Sequence, residues 1–439
     1  MMKCLCFLSV LLLLATLCIP AFADDLLIAA PVYPDMAPYP SPDDPLLSRD
    51  DAAYDAWRDS INAQRRDSAY TQGLAPFLER SIGAYLSGAG SVNRVYSPLS
   101  LYMALAMLAE TTDGESRAEI LALLGHEDLA ALRAQASDLW NANYRADGAS
   151  SRLLATSAWL NEGLSYNAET TSALAKHYYA AAYQGRMGSP EMDAALQKWL
   201  DENTMGLLTE QIQSVHLPES TALALASTVA LKARWHSTFR PENNVTDVFH
   251  SPGGDVDCTF MRKTATDQLY WGESYQAVYL PFSMDGGMWL ILPDEGLTPD
   301  DLLEDPAVLR FLADSSAVPE SKRMRIHLQL PRFDVTSQME LSGGLKAMGV
   351  TKVFSANEAD FSPLTDEALP IALSQVRHDA RVVIDEEGCE AAAFTLMMMA
   401  MAAPPQQLEE IDFVLDRPFL FAVAGADQLP LFVGVVNRP

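Results

Sequence analysis

Residues 391–403 read AAAFTLMMMAMAA, thirteen consecutive positions without a charge. Asp385, Glu386, Glu387, Gly388, Cys389 and Glu390 precede them, and Pro404 and Pro405 follow. A run this apolar is ordinarily buried, whereas a run bracketed by acids and prolines ordinarily lies in solvent. Any fold for this chain has to accommodate both properties. A membrane-spanning helix needs ~20 apolar residues, so the run is too short to cross a bilayer. Ala, Leu and Met are strong helix formers, which makes a buried helix one reading. Met397, Met398, Met399 and Met401 could offer thioethers to Cu(I). No His or second Cys lies nearby, so neither a metal nor any other cofactor is expected. Local sequence leaves a core helix and an exposed loop both open.

The chain ends differ in kind. Lys3 is the only charge before an apolar run from Leu5 to Ile19, and Ala21-Phe22-Ala23 is a small-x-small cleavage site. Residues 1–23 therefore read as a signal peptide, with Asp24 the first mature residue. A membrane anchor fits less well, because the run is short and ends in Pro20. Export is expected, to the extracellular space or to a periplasm. Cys4, Cys6 and Cys18 would leave with the signal, and Cys258 and Cys389 would remain as two free thiols. Loss of Lys3 takes the formal charge from −28 to −29. So acidic a chain does not bind nucleic acid or an anionic membrane through general electrostatics.

Residues 24–66 read as an acidic, Pro-rich, largely disordered tether. Six prolines between Pro31 and Pro45 remove backbone donors and fix φ, and the polar 46–66 stretch reads as weakly helical. From residue 67 to Pro439 the pattern is that of one globular domain. Helical spacing of apolar residues marks 74–86, 98–110, 117–124 and 128–140. Strand patterns dominate later. A β-branched run covers 223–231. Val278–Leu280 and Met288–Leu292 flank a Met-Asp-Gly-Gly turn as a hairpin. Ile326, Leu328 and Leu330 alternate ahead of Pro331, and 381–384, 413–415, 419–423 and 431–436 complete the set. Helices first and antiparallel strands later make the fold class α+β.

Enzyme signatures are missing from the sequence. There is no G-x-S-x-G, no H-E-x-x-H and no Walker A loop, and the seven His are scattered. No catalytic residues are assigned. His126-Glu127 reads as a polar loop, and Asp255-Val256-Asp257 as a turn before a strand. Asn244-Val245-Thr246 is a glycosylation sequon, meaningful only in a eukaryotic secretory host.

A series of motifs then occurs in a telling order. Asn93, Ser97-Pro98 and Ser100 form N-x-x-x-SP-x-S, and Thr204-Met205-Gly206 follows. Leu231-Lys232-Ala233-Arg234-Trp235 comes next, with Phe239 and Phe249. Tyr279-Leu280-Pro281-Phe282, Leu330-Pro331-Arg332-Phe333 and Ala359-Asp360-Phe361-Ser362 follow in turn. His378, Ile384-Asp385-Glu386 and Glu390-Ala391-Ala392-Ala393 lead to Asp416-Arg417-Pro418-Phe419. In order and spacing over some 370 residues this series resembles the serpins, inhibitors that trap proteases. The resemblance implies a fold of N-terminal helices and three β-sheets, with an exposed reactive loop at about 386–408. It implies that the loop is cut as bait and inserts as a new central strand of the large sheet.

Residue roles follow from the same resemblance. The hinge would be Glu386, Glu387, Gly388, Cys389, Glu390, Ala391, Ala392 and Ala393. Ser97, Ser100 and His378 would form a polar cluster beneath the opening sheet, with Gln197 where the family usually has Asn. Ser97 and Ser100 equally read as a helix cap. Trp235 and Arg332 would stand where insertion begins, Arg332 paired with Glu386. The reactive bond is expected between Ala402 and Ala403, sixteen positions past Glu386, with Met401-Ala402 and Met399-Ala400 as alternatives. Small apolar residues there imply an elastase-like, chymotrypsin-like or subtilisin-like serine protease, or a cysteine protease, held in a covalent 1:1 complex by a monomer. Because 391–408 contains no Lys or Arg, a trypsin-like target is not expected. Cys389 stands where Thr or Ser is usual, and its thiol is expected to be accessible before cleavage. With bulky Phe394 it keeps a non-inhibitory chaperone or carrier as the alternative. Side chains alternate across a strand, so Cys389, Ala391, Ala393, Thr395 and Met397 would face inward after insertion.

Overall fold

The computed structural model describes residues 25–40, 51–64, 68–147, 151–314, 319–367, 369–389 and 408–439. The signal-peptide reading of 1–23 and the reactive bond lie outside these residues. The described chain begins with strand β1 (Leu27–Ala29) and helix α1 (Asp51–Gln64). A helical block follows: α2 (Ala75–Leu86), strand β2 (Arg94–Tyr96), α3 (Pro98–Thr111), α4 (Gly114–Leu124) and α5 (Leu129–Asn143). Next come β3 (Arg145–Ala146), β4 (Ser151–Asn161), α6 (Ala168–Tyr178), β5 (Ala180–Gly185), α7 (Pro190–Asn203) and the short α8 (Thr209–Ile212). Strands then dominate, from β6 (Leu223–Arg234) through β7 (Val245–Phe249), β8 (Val256–Trp271), β9 (Tyr275–Pro281) and β10 (Gly287–Pro293). Helices α9 (Pro299–Leu303) and α10 (Pro306–Ala313) precede β11 (Glu320–Pro331) and β12 (Phe333–Glu340). After α11 (Ser342–Ala347) come β13 (Arg377–Ile384), β14 (Gly388–Cys389), β15 (Glu410–Val414), β16 (Phe419–Ala424) and β17 (Pro430–Val436).

Local chemistry accounts for many of these boundaries. Ser97 accepts from the Ser100 N–H at the start of α3, and Pro98 sits at the first helical position, where its missing donor costs nothing. The expected hairpin forms with Val278 opposite Leu290 and Leu280 opposite Met288. Helix α3 is buried along almost its whole length and forms the centre of the core, covered by β6 on one side and β17 on another.

Among the described residues the strands form two continuous hydrogen-bonded networks, in one of which two of the expected three sheets are joined end to end. One runs β1-β5-β4-β6-β14-β13-β12, with β3 on β4. The other runs β15-β11-β8-β9-β10-β16-β17-β2, with β7 on β8. The merger has a simple cause. Strand β8 spans 16 residues, long enough to pair with β7 and β11 and, at Leu269–Trp271, with β9 as well.

The disordered tether expected over 24–66 is corrected by the described parts of that segment. Leu27 pairs with Tyr183 and Ala29 with Ala182, so β1 becomes an edge strand of the large sheet. Gln184 N–H also donates to Leu26 O at 2.7 Å. Tyr33 stacks on Trp140 and Tyr144 at centroid distances of 5.4 and 5.5 Å. Tyr39 N–H donates to Asp147 O, and buried Trp57 of α1 donates its indole N–H to the Asp147 carboxylate at 2.9 Å. The prolines remove donors only from Pro31 onward, and β1 uses the donors that precede them. Aromatic stacking then holds a segment whose backbone cannot be held by a ladder.

Removing the Tyr33 ring deletes two stacking contacts, each ~0.5–1.5 kcal/mol. Tyr33→Ala is expected to lower stability by about 2 kcal/mol and to expose Trp140. Urea unfolding followed by tryptophan fluorescence tests this. An unchanged midpoint would mean that the N-terminal segment is not docked.

Candidate functional site

Where β6 meets β13, the large sheet is incomplete. Strand β6 pairs with β4 on one side, and on the other only through Arg234 and Ala233, which oppose Gly388 and Cys389. Strand β13 pairs with β12, and its remaining edge meets only Cys389, through Ile384. Among the described residues, nothing else pairs with either facing edge. Between them lies a cavity of about 990 Å³. Its lining includes Leu105 from below, Leu200 and Leu208 from α7 and the chain after it, and Leu225, Ser227 and His378 from the strand region.

The top of this gap is closed by the hinge. Asp385 turns the chain: its Oδ1 accepts from Glu387 N–H at 2.8 Å and Gly388 N–H at 3.1 Å. Gly388 is required by closeness, because a Cβ there would lie 2.1 Å from Ala233 O. Trp235, 2% exposed, donates its indole N–H to Asp385 O and its backbone N–H to Glu387 O, both at 2.9 Å. Its ring stacks on Phe282 at 5.3 Å. Arg234 reaches Glu387 at 3.2 Å.

Glu386 anchors the arrangement. Its carboxylate receives Arg332 Nε at 2.7 Å, the Arg332 Nη2 group and the side-chain amide of Asn244. Burial raises the Glu386 pKa, but the hydrogen bonds from Arg332 and Asn244 outweigh it and hold the carboxyl below its ordinary range. The pair is one-sided, with the Glu386 side chain 8% exposed and that of Arg332 48% exposed. It is therefore not the solvent-exposed bridge worth ~0–1 kcal/mol. Cys389 is buried, and its thiol side packs with the hydrophobic core, so the expected accessible hinge thiol is corrected. The cause is its position: Cys389 already occupies the sheet between Ala233 and Ile384.

The polar cluster lies lower. Ser97 N–H donates to His378 Nε2 at 3.1 Å, and Ser100 Oγ donates to Ser227 O at 2.9 Å. Ser97 thus caps α3 and meets His378 at once. Gln197 is not brought to this cluster. Its amide donates to Val215 O at 2.9 Å, because it faces the chain that folds back after α7. The Ser227 hydroxyl is buried with no hydrogen-bond partner among the described residues. Glu390, Ala391, Ala392, Ala393, Met399, Ala400, Met401, Ala402 and Ala403 lie outside the described residues. Asn244 and Asp385 are hinge residues to which motif reading gave no role. Asn244 was visible only as a sequon, and nothing local ties it to a residue 142 positions away.

Burial of His378 drives its pKa down to about 4. The unfolded chain therefore binds a proton near pH 6.5 that the folded chain refuses until about pH 4. Stability from this group is intact above pH ~6.5 and falls as pH drops from there toward 4, by a total on the order of 3 kcal/mol. Thermal melts across this range are expected to show the decline, and His378→Asn to flatten it. Equal slopes for both proteins would contradict the assignment.

A family model described as Serpin (serine protease inhibitor) matches residues 84–439. Among curated proteins, rice Serpin-Z2B is 28% identical over 414 residues, spanning 85% of this chain and 98% of its own. Wheat Serpin-Z1C is 30% identical over 373 residues, spanning 79% and 90%. The native state of the thermophilic serpin tengpin aligns with a TM-score of 0.74 at 22% identity, over 85% of this chain and 95% of tengpin. Arabidopsis AtSerpin1 in its native stressed conformation aligns with a TM-score of 0.71 at 24% identity, over 85% and 99%. Members of this family are typically protease inhibitors rather than enzymes, and the inhibitors act through covalent complexes with their targets. The unfilled sheet, the hinge at its head and these matches over most of the chain lead to one assignment: the protein belongs to the serpin family.

Proposed function

We propose that this chain is a suicide-substrate inhibitor of elastase-like, chymotrypsin-like or subtilisin-like proteases, exported and acting as a monomer. The observation that carries this reading is the register of the hinge strand in the open sheet. Cys389 opposes Ala233 on β6 and Ile384 on β13, antiparallel to both. Continued without a break, each later residue meets an earlier one on β6, so that Met399 would reach Leu223, the end of that strand. The free edge of β6 thus has room for ten residues past Cys389, of which 391–399 carry no charge. On the same register Thr395 would fall between Ser227 and His378, bringing a hydroxyl to the one Ser227 lacks as a partner. Cys389 faces the core, which fixes the phase: after insertion Ala391 and Ala393 would face inward too.

The chemistry belongs to the target protease. Its serine hydroxyl attacks the Ala402 carbonyl, the Ala402–Ala403 bond breaks, and the Ala403 amine leaves with the proton. The acyl-enzyme then awaits water. Insertion of 390–399 carries the attached protease across the molecule before water completes the cycle. Small inward side chains permit threading between two strands, and the absence of charge makes their burial inexpensive.

Incubation with pancreatic elastase or subtilisin is expected to give an SDS-stable 1:1 complex. The small released fragment should begin at Ala403, or else at Ala402 or Ala400. A start outside 398–408 would refute the loop alignment, and clean cleavage without a complex would favour the carrier or chaperone reading. Export is checked by N-terminal sequencing of the natural protein, expected to begin at Asp24.

Insertion itself is tested at Ala393, which on this register would lie between Val229 and Ala380. Ala393→Arg would place a guanidinium inside the completed sheet at a cost of several kcal/mol. The variant is expected to be cut at the same bond but to trap no protease, with initial stability within ~0.5 kcal/mol of the parent. Ala392→Arg, facing out, should trap nearly normally. If both trap like the parent, strand insertion is wrong for this chain.

A further inference from the structure

The sequon Asn244-Val245-Thr246 is the one sequence motif that the inhibitor reading leaves without a role. Its acceptor atom is already engaged. Asn244 Nδ2 donates to Glu386 Oε1, the same oxygen that receives Arg332. Backbone constraints aim it there. Asn244 ends the Pro241–Asn243 turn with its own N–H bonded to Pro241 O at 3.1 Å, and Val245–Phe249 is paired to β8. The other end of the amide, Oδ1, is buried and has no hydrogen-bond partner among the described residues. Charge selects this orientation, since a flipped amide would set its oxygen against the carboxylate.

We propose that attaching a sugar to Asn244 and closing the clasp on Glu386 exclude each other, which makes this sequon a modification-sensitive control point of the hinge. The donor is an oligosaccharide on a lipid diphosphate. The Nδ2–H bond breaks, the bond from Nδ2 to the sugar C1 forms, the sugar–phosphate bond breaks, and the proton leaves with the diphosphate. A sugar on Nδ2 must occupy either the space beside Oδ1 or the direction held by Glu386. The first adjoins Oδ1, which is itself buried, and the second contains the carboxylate. A glycosylated chain therefore keeps Glu386 unclasped. The contacts next to it, Phe239 N–H to Glu386 O and Trp235 N–H to Glu387 O, are then released with the Gly388–Cys389 strand. This geometry stands by itself; its consequence for protease trapping rests on the inhibitor reading.

Cys389 supplies a readout that involves no protease. It is buried when the hinge strand is seated, and half-buried Cys258 serves as internal reference. The full chain is made in a secretory eukaryotic host and in a bacterium, each beside Thr246→Ala, which deletes the sequon at an exposed position and spares the clasp. Iodoacetamide labelling is mapped by mass spectrometry. Glycosylated molecules are expected to label Cys389 at least tenfold faster than bacterial protein, while Thr246→Ala from either host labels slowly. Glycosylated protein that labels as slowly as the bacterial protein overturns the proposal. If the host leaves the sequon empty, Asn244→Asp decides, or Asn244→Ala should the aspartate chain not fold: labelling tenfold faster supports the clasp, and unchanged labelling overturns it. Failure of the inhibitor reading would appear instead as a missing SDS-stable complex with the labelling pattern intact.

Discussion

Two strand edges that, below the hinge and among the described residues, face each other without pairing, those of β6 and β13, set the terms for the rest of the molecule. An edge presents a row of unmet N–H and C=O groups and is a template for another strand. Here the template lies in the middle of a sheet, beside a cavity of about 990 Å³. Filling it with ten further residues gains ~1 kcal/mol per hydrogen bond and costs ~1–2 kcal/mol per ordered residue. These terms nearly cancel. Burial of small apolar side chains, at ~0.8 kcal/mol per carbon group, and relief of the parted sheet have to tip the balance. Loop insertion that releases stored strain is known among serpins, and the insertion proposed for this chain would draw on the same source.

The proposed insertion would put weight on whatever holds its starting point. In this chain that is the group of contacts around Glu386, Trp235 and Asp385. The carboxylate is buried while its arginine partner is half in water, so desolvation falls mainly on one side and the hydrogen bonds from Arg332 and Asn244 outweigh it. Removing a partner would leave a buried carboxylate under-satisfied, a larger loss than that of a surface pair. Gly388 adds a steric term, since no side chain fits between its Cα and the backbone of β6. Charge, hydrogen bonding and close approach thus converge on five residues of hinge.

Much of the architecture was legible because it rests on short-range rules. Alternation located β11, strand-type runs located β16 and β17, a Gly-Gly turn located the β9–β10 hairpin, and Ser97-Pro98 marked the start of α3. The phase of the hinge was legible for the same reason: side chains alternate along a strand, and Cys389 faces inward as alternation requires. The N-terminal segment was misread because composition reports what a backbone lacks and not what aromatic side chains such as Tyr33 and Trp57 find elsewhere.

The sequence by itself determined the elements, their order and the small, uncharged character of the segment beyond the hinge. Those follow from propensity and periodicity, which act over a few residues. Tertiary structure alone decided which distant groups meet. It seated Cys389 between Ala233 and Ile384, turned Gln197 toward Val215 and away from His378, and fused two expected sheets through the length of β8. It also brought a sequon asparagine onto a hinge carboxylate 142 residues later. A hydrogen bond depends on atomic positions within a fraction of an ångström, and across such separations those positions are set by packing of the whole chain.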